Sequence, residues 1–239
     1  MESKLREALN MTMQPIAVIK THAIPSGALR YREGAVGGCM IAFLEAAAKG
    51  RTAAFTESTC GCPGGRTGLG FAPANRDHLS FFLSAGTENM PGEYYKKTPD
   101  LAGEYVDQLP SARPEPVLLL KPLDQVSEDE APVSIVFLVN ADQLSGLVTL
   151  ANYDRPTGEN VRIRFGSGCS QSILYSMCDS EFGSDVCTIG LTDPSSRLHL
   201  SPSLLSFSIP WRRFLEMEDN VEESFLTKET WYQLRPRIQ

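Results

Sequence analysis

The sequence contains six cysteines, and their positions relative to glycines and predicted helix starts indicate a chemical centre. They are Cys39, Cys60, Cys62, Cys169, Cys178 and Cys187. Cys39, Cys62 and Cys169 each fall where a loop or strand is expected to give way to a helix. Backbone N–H groups and the positive end of the helix dipole at such a place lower the pKa of a thiol. Since the thiolate is the form that binds metals and attacks electrophiles, we expect a metal-binding or reactive centre here.

Cys60 and Cys62 form a Cys-x-Cys pair directly before a glycine-rich stretch. Side chains two residues apart in extended backbone point to the same side, so both thiols can reach one metal. If the fold adds Cys39 and Cys169, the four thiolates form the ligand set of a 4Fe-4S cluster, with a closed zinc site as the weaker alternative. Glu57 is the alternative fourth ligand in place of Cys60. Because the sequence holds no pair of C-x2-C knuckles, this prediction depends on the fold bringing distant cysteines together.

Glycines and arginines near the cysteines support two alternatives to a metal site. Gly64 and Gly65 let the backbone approach a bound anion. Arg66 and Arg197 each follow a glycine or serine turn, from which a guanidinium can hold a carboxylate or phosphate. The protein would then be an enzyme with an activated cysteine nucleophile acting on a small anionic molecule, or a module that binds such an anion without turnover. A tight glycine turn beside buried, unreactive thiols is the structural alternative.

Other catalytic motifs fit the sequence poorly. The stretch GGRTGLG lacks the Gly-Lys-Ser/Thr end of a P-loop and the G-x-G-x-x-G order of a dinucleotide-binding turn. Ser167 lacks the glycine that a nucleophile elbow needs two residues earlier, because that residue is Phe165. The three histidines, His22, His78 and His199, are scattered along the chain. A nucleotide phosphate site and a serine hydrolase are therefore disfavoured.

The overall composition of the chain disfavours further classes of protein. Its 239 residues are 42% hydrophobic and 21% charged, with a net charge of -7. No basic run is longer than the pairs Lys96-Lys97 and Arg212-Arg213, so nucleic acid is not an expected partner. No apolar run approaches the ~20 residues that span a bilayer, and the first ten residues are polar where a secretory signal is apolar. We expect a cytoplasmic protein that binds a small anionic ligand or a redox partner.

The periodicity of apolar residues predicts an α+β (mixed α/β) fold, in which one mixed sheet is flanked by helices. The apolar run at 133–140 has the length of a central strand covered on both faces. We expect a single domain over residues 1–239, with a sub-boundary near 110–132. The expected helices are 2–11, 39–50, 77–86 (with Asp77 as N-cap), 92–112 with a break near Pro99, 141–154 and 211–226. The expected strands are 15–21, 51–57, 117–120, 133–140, 161–168, 187–193 and 205–210.

One arrangement occurs twice in this order of elements, namely a strand, then cysteine, then a helix start. The strand at 51–57 leads to Cys60 and Cys62, and the strand at 161–168 leads to Cys169. The two stretches predict similar halves of the fold, each carrying part of the expected cysteine centre.

Five short blocks resemble domain-of-unknown-function family 169, a group of mainly archaeal and anaerobic bacterial proteins. The blocks are Cys39 with the AAAKG that follows it, CPGGRTGLGF, FGSGCSQSI, CTIGLTDPSSR and SFSIPWRRF. They cover nearly the whole chain in the expected order. The family has no established activity, so the resemblance implies a single cytoplasmic unit without implying a mechanism.

The resemblance also assigns individual residues. It implies that Cys39, Cys62 and Cys169 are the matched cysteines. It matches Arg197 to the arginine of the CTIGLTDPSSR block. Cys60 is an addition in this chain, and Arg66 stands where alanine is more common. The resemblance implies no role for Cys178 or Cys187.

Overall fold

A computed structural model describes residues 1–34, 37–113 and 115–238 of the chain. These residues form a mixed α/β fold with a seven-stranded sheet, a two-stranded hairpin and ten α-helices, as the apolar periodicity predicts. The strands are β1 (Ile16–Thr21), β2 (Ala53–Phe55), β3 (Gly86–Thr87), β4 (Met90–Pro91), β5 (Val117–Pro122), β6 (Pro132–Val139), β7 (Val161–Ile163), β8 (Cys187–Gly190) and β9 (Leu205–Pro210). The helices are α1 (Lys4–Ala8), α2 (Ile41–Ala48), α3 (Pro63–Gly68), α4 (Arg76–Phe82), α5 (Pro99–Val106), α6 (Ala141–Leu150), α7 (Tyr175–Glu181), α8 (Pro194–Arg197), α9 (Trp211–Asn220) and α10 (Glu229–Leu234).

The strand β6 lies at the centre of the seven-stranded sheet, whose order is β2-β5-β1-β6-β9-β8-β7. Neighbouring strands are antiparallel except for β7 and β8, which are parallel. Every residue of β6 except Val133 is buried. Burial of successive residues, which point to opposite faces, shows that both faces of this strand are covered. The predicted central strand is therefore confirmed.

Each face of the sheet packs against its own hydrophobic cluster. Ile135 and Phe137 of β6 belong to the cluster on one face, and Val136 and Leu138 belong to the cluster on the other. The second cluster includes residues of α2, β2 and a π-helical segment before α7: Ile41, Leu44, Phe55, Ile173 and Leu174. Five of the six cysteines pack in or against this second cluster, whereas Cys187 is buried in the first. The sheet thus places the predicted cysteine ligands on one of its two faces.

The chain divides into two units. The larger unit comprises residues 1–71 and 112–239, and the smaller comprises residues 72–111. The smaller unit holds α4, α5 and the β3-β4 hairpin, around an apolar cluster formed by Leu83, Ala102 and Val106. The sequence predicts a single domain with a sub-boundary near 110–132, and one of the two junctions falls at Ala112.

The helices are short, and within the described ranges none is long and apolar enough to cross a bilayer. The predicted N-cap Asp77 is wrong, because α4 begins after Asn75 and not after Asp77. The Asn75 side chain accepts a hydrogen bond from the His78 N–H at 3.0 Å, which is the geometry of an N-cap. Asp77 lies inside the first turn, where its negative charge suits the helix dipole.

Three buried hydroxyl groups belong to strands of the seven-stranded sheet or to the helix α7. Ser134, Ser176 and Thr188 are fully buried, and their side-chain oxygens have no hydrogen-bond partner in the part of the chain that the structure describes. A buried unpaired hydroxyl costs about 1–3 kcal/mol. We expect Ser176→Ala to raise the free energy of unfolding by up to about 1 kcal/mol, because the substitution removes this cost and improves helix propensity.

Urea denaturation checks this expectation against a matched variant. The Ser172 hydroxyl is equally buried but lies 2.8 Å from the Ser206 hydroxyl, so Ser172→Ala should lower the free energy of unfolding. Equal losses in the Ser172 and Ser176 variants would contradict the prediction.

Candidate functional site

The glycine-rich stretch after Cys62 folds as the helix α3 and not as the turn that its composition predicts. Cys62 is the N-cap residue, and its sulfur accepts a hydrogen bond from the Gly65 N–H at 3.2 Å. Pro63 occupies the first helical position, where its fixed φ suits the helix and its missing N–H is not needed. Cys62 therefore lies at a helix start, as the sequence predicts.

Two glycines let α3 lie directly against three thiols. A Cβ added at Gly65 would lie 3.2 Å from the sulfur of Cys60 and 3.4 Å from that of Cys62. A Cβ added at Gly68 would lie 2.3 Å from the sulfur of Cys169, a distance at which atoms overlap. The close approach of α3 to Cys169 therefore requires glycine at position 68, whereas a Cβ at position 65 would be tightly packed.

Cys169 lies in the first turn of a helix that continues through the π-helical segment Ser170–Leu174 into α7. Its thiol donates to the Gly64 carbonyl at 3.4 Å and lies 3.2 Å from the Ser167 hydroxyl. The strand before it is shorter than predicted, since β7 ends at Ile163 and residues 164–167 are irregular. π-Helical turns are rare in proteins, and those that do occur are frequently found at functional sites. This segment therefore supports a functional role for the region around Cys169.

The two strand-cysteine-helix stretches leave the sheet at opposite edges, because β2 and β7 are its outermost strands. Their helices nevertheless meet, with Gly68 of α3 packed against Cys169 at the start of the π-helical segment. The predicted recurrence of strand, cysteine and helix is therefore present. The two copies converge because their helices cross the same face of the sheet.

Cys39 reaches the site on a loop that contains glycines. The helix α2 begins at Ile41, so Cys39 precedes the helix and does not lie in its first turn as predicted. The Gly37 N–H donates to the Gly61 carbonyl at 2.9 Å, which ties the loop to the residue between the paired cysteines. Gly37 and Gly38 have φ angles of 97° and 83°, a conformation that residues with a Cβ rarely adopt.

The surroundings of Cys39, Cys60 and Cys169 favour the neutral form of their thiols. Burial raises the pKa of Cys39, raises that of Cys60 to about 11 and raises that of Cys169 to about 12. In each case the neighbouring Cys62 adds to the rise, because a second negative charge close by disfavours a thiolate. The expectation of a lowered pKa for Cys39 and Cys169 is therefore wrong, since burial outweighs the hydrogen bonds that these sulfurs receive. Cys39, Cys60 and Cys169 thus each interact electrostatically with Cys62.

Two of the four thiols, those of Cys60 and Cys169, donate hydrogen bonds to backbone carbonyls. Within residues 1–34, 37–113 and 115–238, no group of three or more His, Cys, Asp or Glu side chains is placed so that it could hold a metal ion. The Cys60 thiol points to the Cys62 carbonyl at 3.6 Å, and the Cys169 thiol points to the Gly64 carbonyl. Cysteine sulfur is the ligand type that iron–sulfur clusters take. The Cys60 and Cys169 thiols would have to turn away from these carbonyls to bind one.

The two predicted arginines have different surroundings. The Arg66 Nε donates to the Cys60 carbonyl at 3.2 Å, and the Arg66 side chain is exposed. Arg197 uses both terminal nitrogens of its guanidinium on the backbone carbonyls of Leu204 and Pro202. Arg66 therefore stands beside the thiols, whereas Arg197 stabilises the loop between α8 and β9.

Glu57 and Cys60, the two alternatives for a fourth ligand, have different surroundings. Glu57 lines a cavity of about 300 Å³ together with Phe71, Glu115 and Pro116. Cys60 is 1% exposed and lies against Gly65 of α3. Cys60, the cysteine that the family resemblance treats as an addition, is thus placed among the thiols of the site.

Cys178 and Cys187 have surroundings of their own. Burial raises the pKa of Cys178 to about 11, beside Glu181 and Lys20, which form an ion pair. Burial raises the pKa of Cys187 to about 12, beside the guanidinium of Arg213 on the other face of the sheet. These two cysteines serve as internal controls for the four at the site.

Two residues that the sequence analysis missed hold the loops of the site. Asp193 is buried; it accepts a hydrogen bond from the Gly168 N–H and caps α8 through the N–H groups of its first turn. An aspartate followed by proline and serines is an N-cap signature, which could have revealed this role. Tyr31 donates its hydroxyl to the Gly38 carbonyl at 3.2 Å, and no sequence pattern marks this contact.

Comparison with protein families connects the site to a group of related chains. The model of a family described as "Uncharacterised ArCR", domain of unknown function 169, matches residues 4–220. Comparisons with curated proteins and with solved structures gave no match. The matched range contains Cys39, Cys60, Cys62 and Cys169, so the whole candidate site lies inside it.

Proposed function

The chain belongs to domain-of-unknown-function family 169, an uncharacterised family, and from the arrangement of its thiols we propose that it binds an iron–sulfur cluster of the 4Fe-4S type. The ligands are Cys39, Cys60, Cys62 and Cys169. The observation that carries the proposal is the convergence of these four thiols from three separate segments of the chain.

The chemistry of the donors supports this choice. Thiolate sulfur is the ligand that iron–sulfur clusters take, and a full set of four cysteines needs no ligand from another class. The Gly65 N–H already points at the Cys62 sulfur, and hydrogen bonds of this kind tune the potential of a cluster. Once bound, such a cluster would supply one-electron transfer, so the expected partner is a redox protein or a small redox-active molecule.

The absence of disulfide bonds among the described cysteines is consistent with the proposed cytoplasmic compartment. All six cysteines are free in the described residues. Free thiols are typical of reducing compartments, whereas secreted proteins with an even number of cysteines usually pair them. We therefore keep the cytoplasm as the proposed location.

An activated cysteine nucleophile receives less support from the same geometry. A nucleophilic thiol needs a pKa near or below neutral pH, and burial moves the pKa of Cys39, Cys60 and Cys169 in the opposite direction. A module that only binds anions receives less support as well, because Arg197 uses its terminal nitrogens on backbone carbonyls.

Anaerobic reconstitution with iron and sulfide tests the proposal. We expect about four iron and four acid-labile sulfide per chain, with a visible charge-transfer band. Alanine substitution of any site cysteine should lower the affinity for the cluster by at least about tenfold, since even outer-shell changes cost that much. Cys178→Ala and Cys187→Ala should load like the unsubstituted protein, because these thiols lie apart from the site.

Three outcomes would count against the proposal. One is a protein that carries neither iron nor sulfide after reconstitution. Another is equal loading of the Cys62→Ala and Cys178→Ala variants. Binding of zinc without sulfide would replace the cluster by a closed thiolate site. Circular dichroism of each metal-free variant distinguishes a loss of cluster binding from a loss of folded structure.

A further inference from the structure

Cys60 and Cys62 are separated by a single residue, and their sulfurs border the same small space beside α3. A Cβ added at Gly65 would lie 3.2 Å from the Cys60 sulfur and 3.4 Å from the Cys62 sulfur. The Cys60 thiol also lies 3.6 Å from the backbone carbonyl of Cys62. Since Cα atoms two residues apart are at most about 7 Å from each other, the pair is within the range that a disulfide can bridge.

The two thiols of this pair differ in their access to solvent. Cys60 is 1% exposed, whereas Cys62 is only partly buried. The Gly65 N–H donates to the Cys62 sulfur at 3.2 Å, which orients that sulfur at the start of α3. A molecule in solution therefore reaches Cys62 first, and Cys60 can react only with a group that is already attached to Cys62.

Arg66 places a positive charge next to this pair. Its Nε donates to the Cys60 carbonyl at 3.2 Å, and its side chain is exposed. The guanidinium is thus held beside the two cysteines while it remains open to solvent. A positive charge in this place attracts a small molecule that carries carboxylates.

We propose that Cys60 and Cys62 form a dithiol that exchanges with small anionic disulfides. In the first step the Cys62 thiol loses its proton to solvent, attacks one sulfur of the disulfide and releases the other sulfur as a thiolate. In the second step Cys60 loses its proton and attacks the Cys62 sulfur. This attack releases the second thiolate and forms a Cys60–Cys62 disulfide, and both released thiolates take up a proton. The pair is oxidised by two electrons while the small disulfide is reduced to two thiols.

The position of Cys60 suits it to the second step only. Burial raises its pKa to about 11, so little of it is a thiolate at neutral pH. Its attack on the Cys62 sulfur is intramolecular, and the closeness of the two sulfurs offsets the small thiolate fraction. The exchange needs these two sulfurs alone, so the inference does not rest on the proposed cluster. The two states exclude each other, since sulfurs joined in a disulfide cannot bind iron.

Mass spectrometry of the metal-free protein after treatment with oxidised glutathione tests the exchange. We expect the unsubstituted protein to contain a Cys60–Cys62 disulfide and no attached glutathione. Cys60→Ser should stop after the first step, with one glutathione attached to Cys62. Cys62→Ser should form neither product, because Cys60 is buried. Cys178→Ser is the matched control and should react like the unsubstituted protein, since Cys178 is buried beside Glu181 and Lys20. Circular dichroism of each variant before treatment checks that it is folded.

A second variant tests the preference for an anionic disulfide. Arg66→Gln should slow the attachment of glutathione to Cys62, and it should leave the reaction with hydroxyethyl disulfide, an uncharged probe, unchanged. Equal rates of Arg66→Gln and the unsubstituted protein with glutathione would overturn the role of the guanidinium. A disulfide that joins Cys62 to Cys39 or Cys169, or a folded Cys60→Ser variant that stays unmodified, would overturn the dithiol itself. The assay contains no iron, so its result is independent of whether a cluster binds.

Discussion

Replacement of Asp154 by asparagine is expected to lower the free energy of unfolding at pH 7 by about 2–3 kcal/mol. Its partner, Arg213, is the largest fully buried side chain in the described residues. Asp154 Oδ2 accepts from Arg213 Nη1 at 2.8 Å, and Oδ1 accepts from Nη2. Glu216 and the Ala151 carbonyl accept the remaining bonds of the two terminal nitrogens. Removing one negative partner leaves a buried cation undercompensated, which is the costly way to break a buried pair.

The pH dependence of this effect has a definite sign. Hydrogen bonding to Arg213 lowers the pKa of Asp154 from 3.8 to about 2 in the folded protein. A carboxyl group whose folded pKa is depressed contributes stability that is present above its unfolded pKa and lost as the pH falls through its folded pKa. The difference in stability between the unsubstituted protein and Asp154→Asn should therefore be full above about pH 4 and shrink between pH 4 and 2.

Chemical denaturation at several pH values measures both parts of this prediction. Asp219→Asn is the matched control, because Asp219 is an exposed residue of α9, the helix that carries Arg213. The control should change the free energy of unfolding by less than about 0.5 kcal/mol. Equal effects of the two substitutions, or an Asp154 effect that does not change down to pH 2, would show that this ion pair is not stabilising.

The elements that local pattern determines could be predicted from the sequence. The apolar run at 133–139 is long enough for a strand and lacks the polar alternation of an edge, and it forms the central strand β6. The helix after it begins at a capping box, in which the side chains of Asn140 and Gln143 each accept the other residue's N–H. In such stretches local signals and tertiary packing favour the same structure.

The sequence predicts a helix start at Cys62, but it does not predict that the glycine-rich residues after Cys62 continue as the helix α3. One proline and three glycines occupy six residues, and each glycine inside a helix costs up to about 1 kcal/mol relative to alanine. What favours the helix is its packing against Cys169, a residue far away along the chain. A glycine-rich composition therefore indicated a turn, although the glycines serve to bring a helix close.

Residue type was enough to identify the thiols of the site, but it did not predict the direction of their pKa shifts. Sequence reasoning weighed the N–H groups of a helix start, which favour a thiolate. It could not include burial, which is a property of the assembled core and raises the pKa of Cys169 to about 12. Tyr31, whose hydroxyl donates to the Gly38 carbonyl, was missed for the same reason, since its position follows from packing against Phe43 and Phe55.

Two glycine-to-alanine substitutions within α3 should change stability in opposite directions. A Cβ at Gly64 meets nothing within 4 Å, so Gly64→Ala should raise the free energy of unfolding by up to about 1 kcal/mol through helix propensity. A Cβ at Gly68 lies 2.3 Å from the Cys169 sulfur and 3.0 Å from the Ser170 backbone nitrogen. Because backbone cannot move aside as a flexible side chain can, Gly68→Ala should lower the free energy of unfolding by about 2–3 kcal/mol.

The same clash should also open the site, which gives the prediction a second measurement. If α3 is displaced from Cys169, this thiol, now only 6% exposed, should be alkylated faster by iodoacetamide in the folded protein. Gly64→Ala should leave that rate unchanged, because it keeps the Gly64 carbonyl to which the Cys169 thiol donates. Urea denaturation and mass spectrometry of the alkylated peptides together decide the outcome. If Gly68→Ala matched Gly64→Ala in both stability and alkylation rate, α3 would not be held against the thiols, and the convergence on which the cluster proposal rests would be lost.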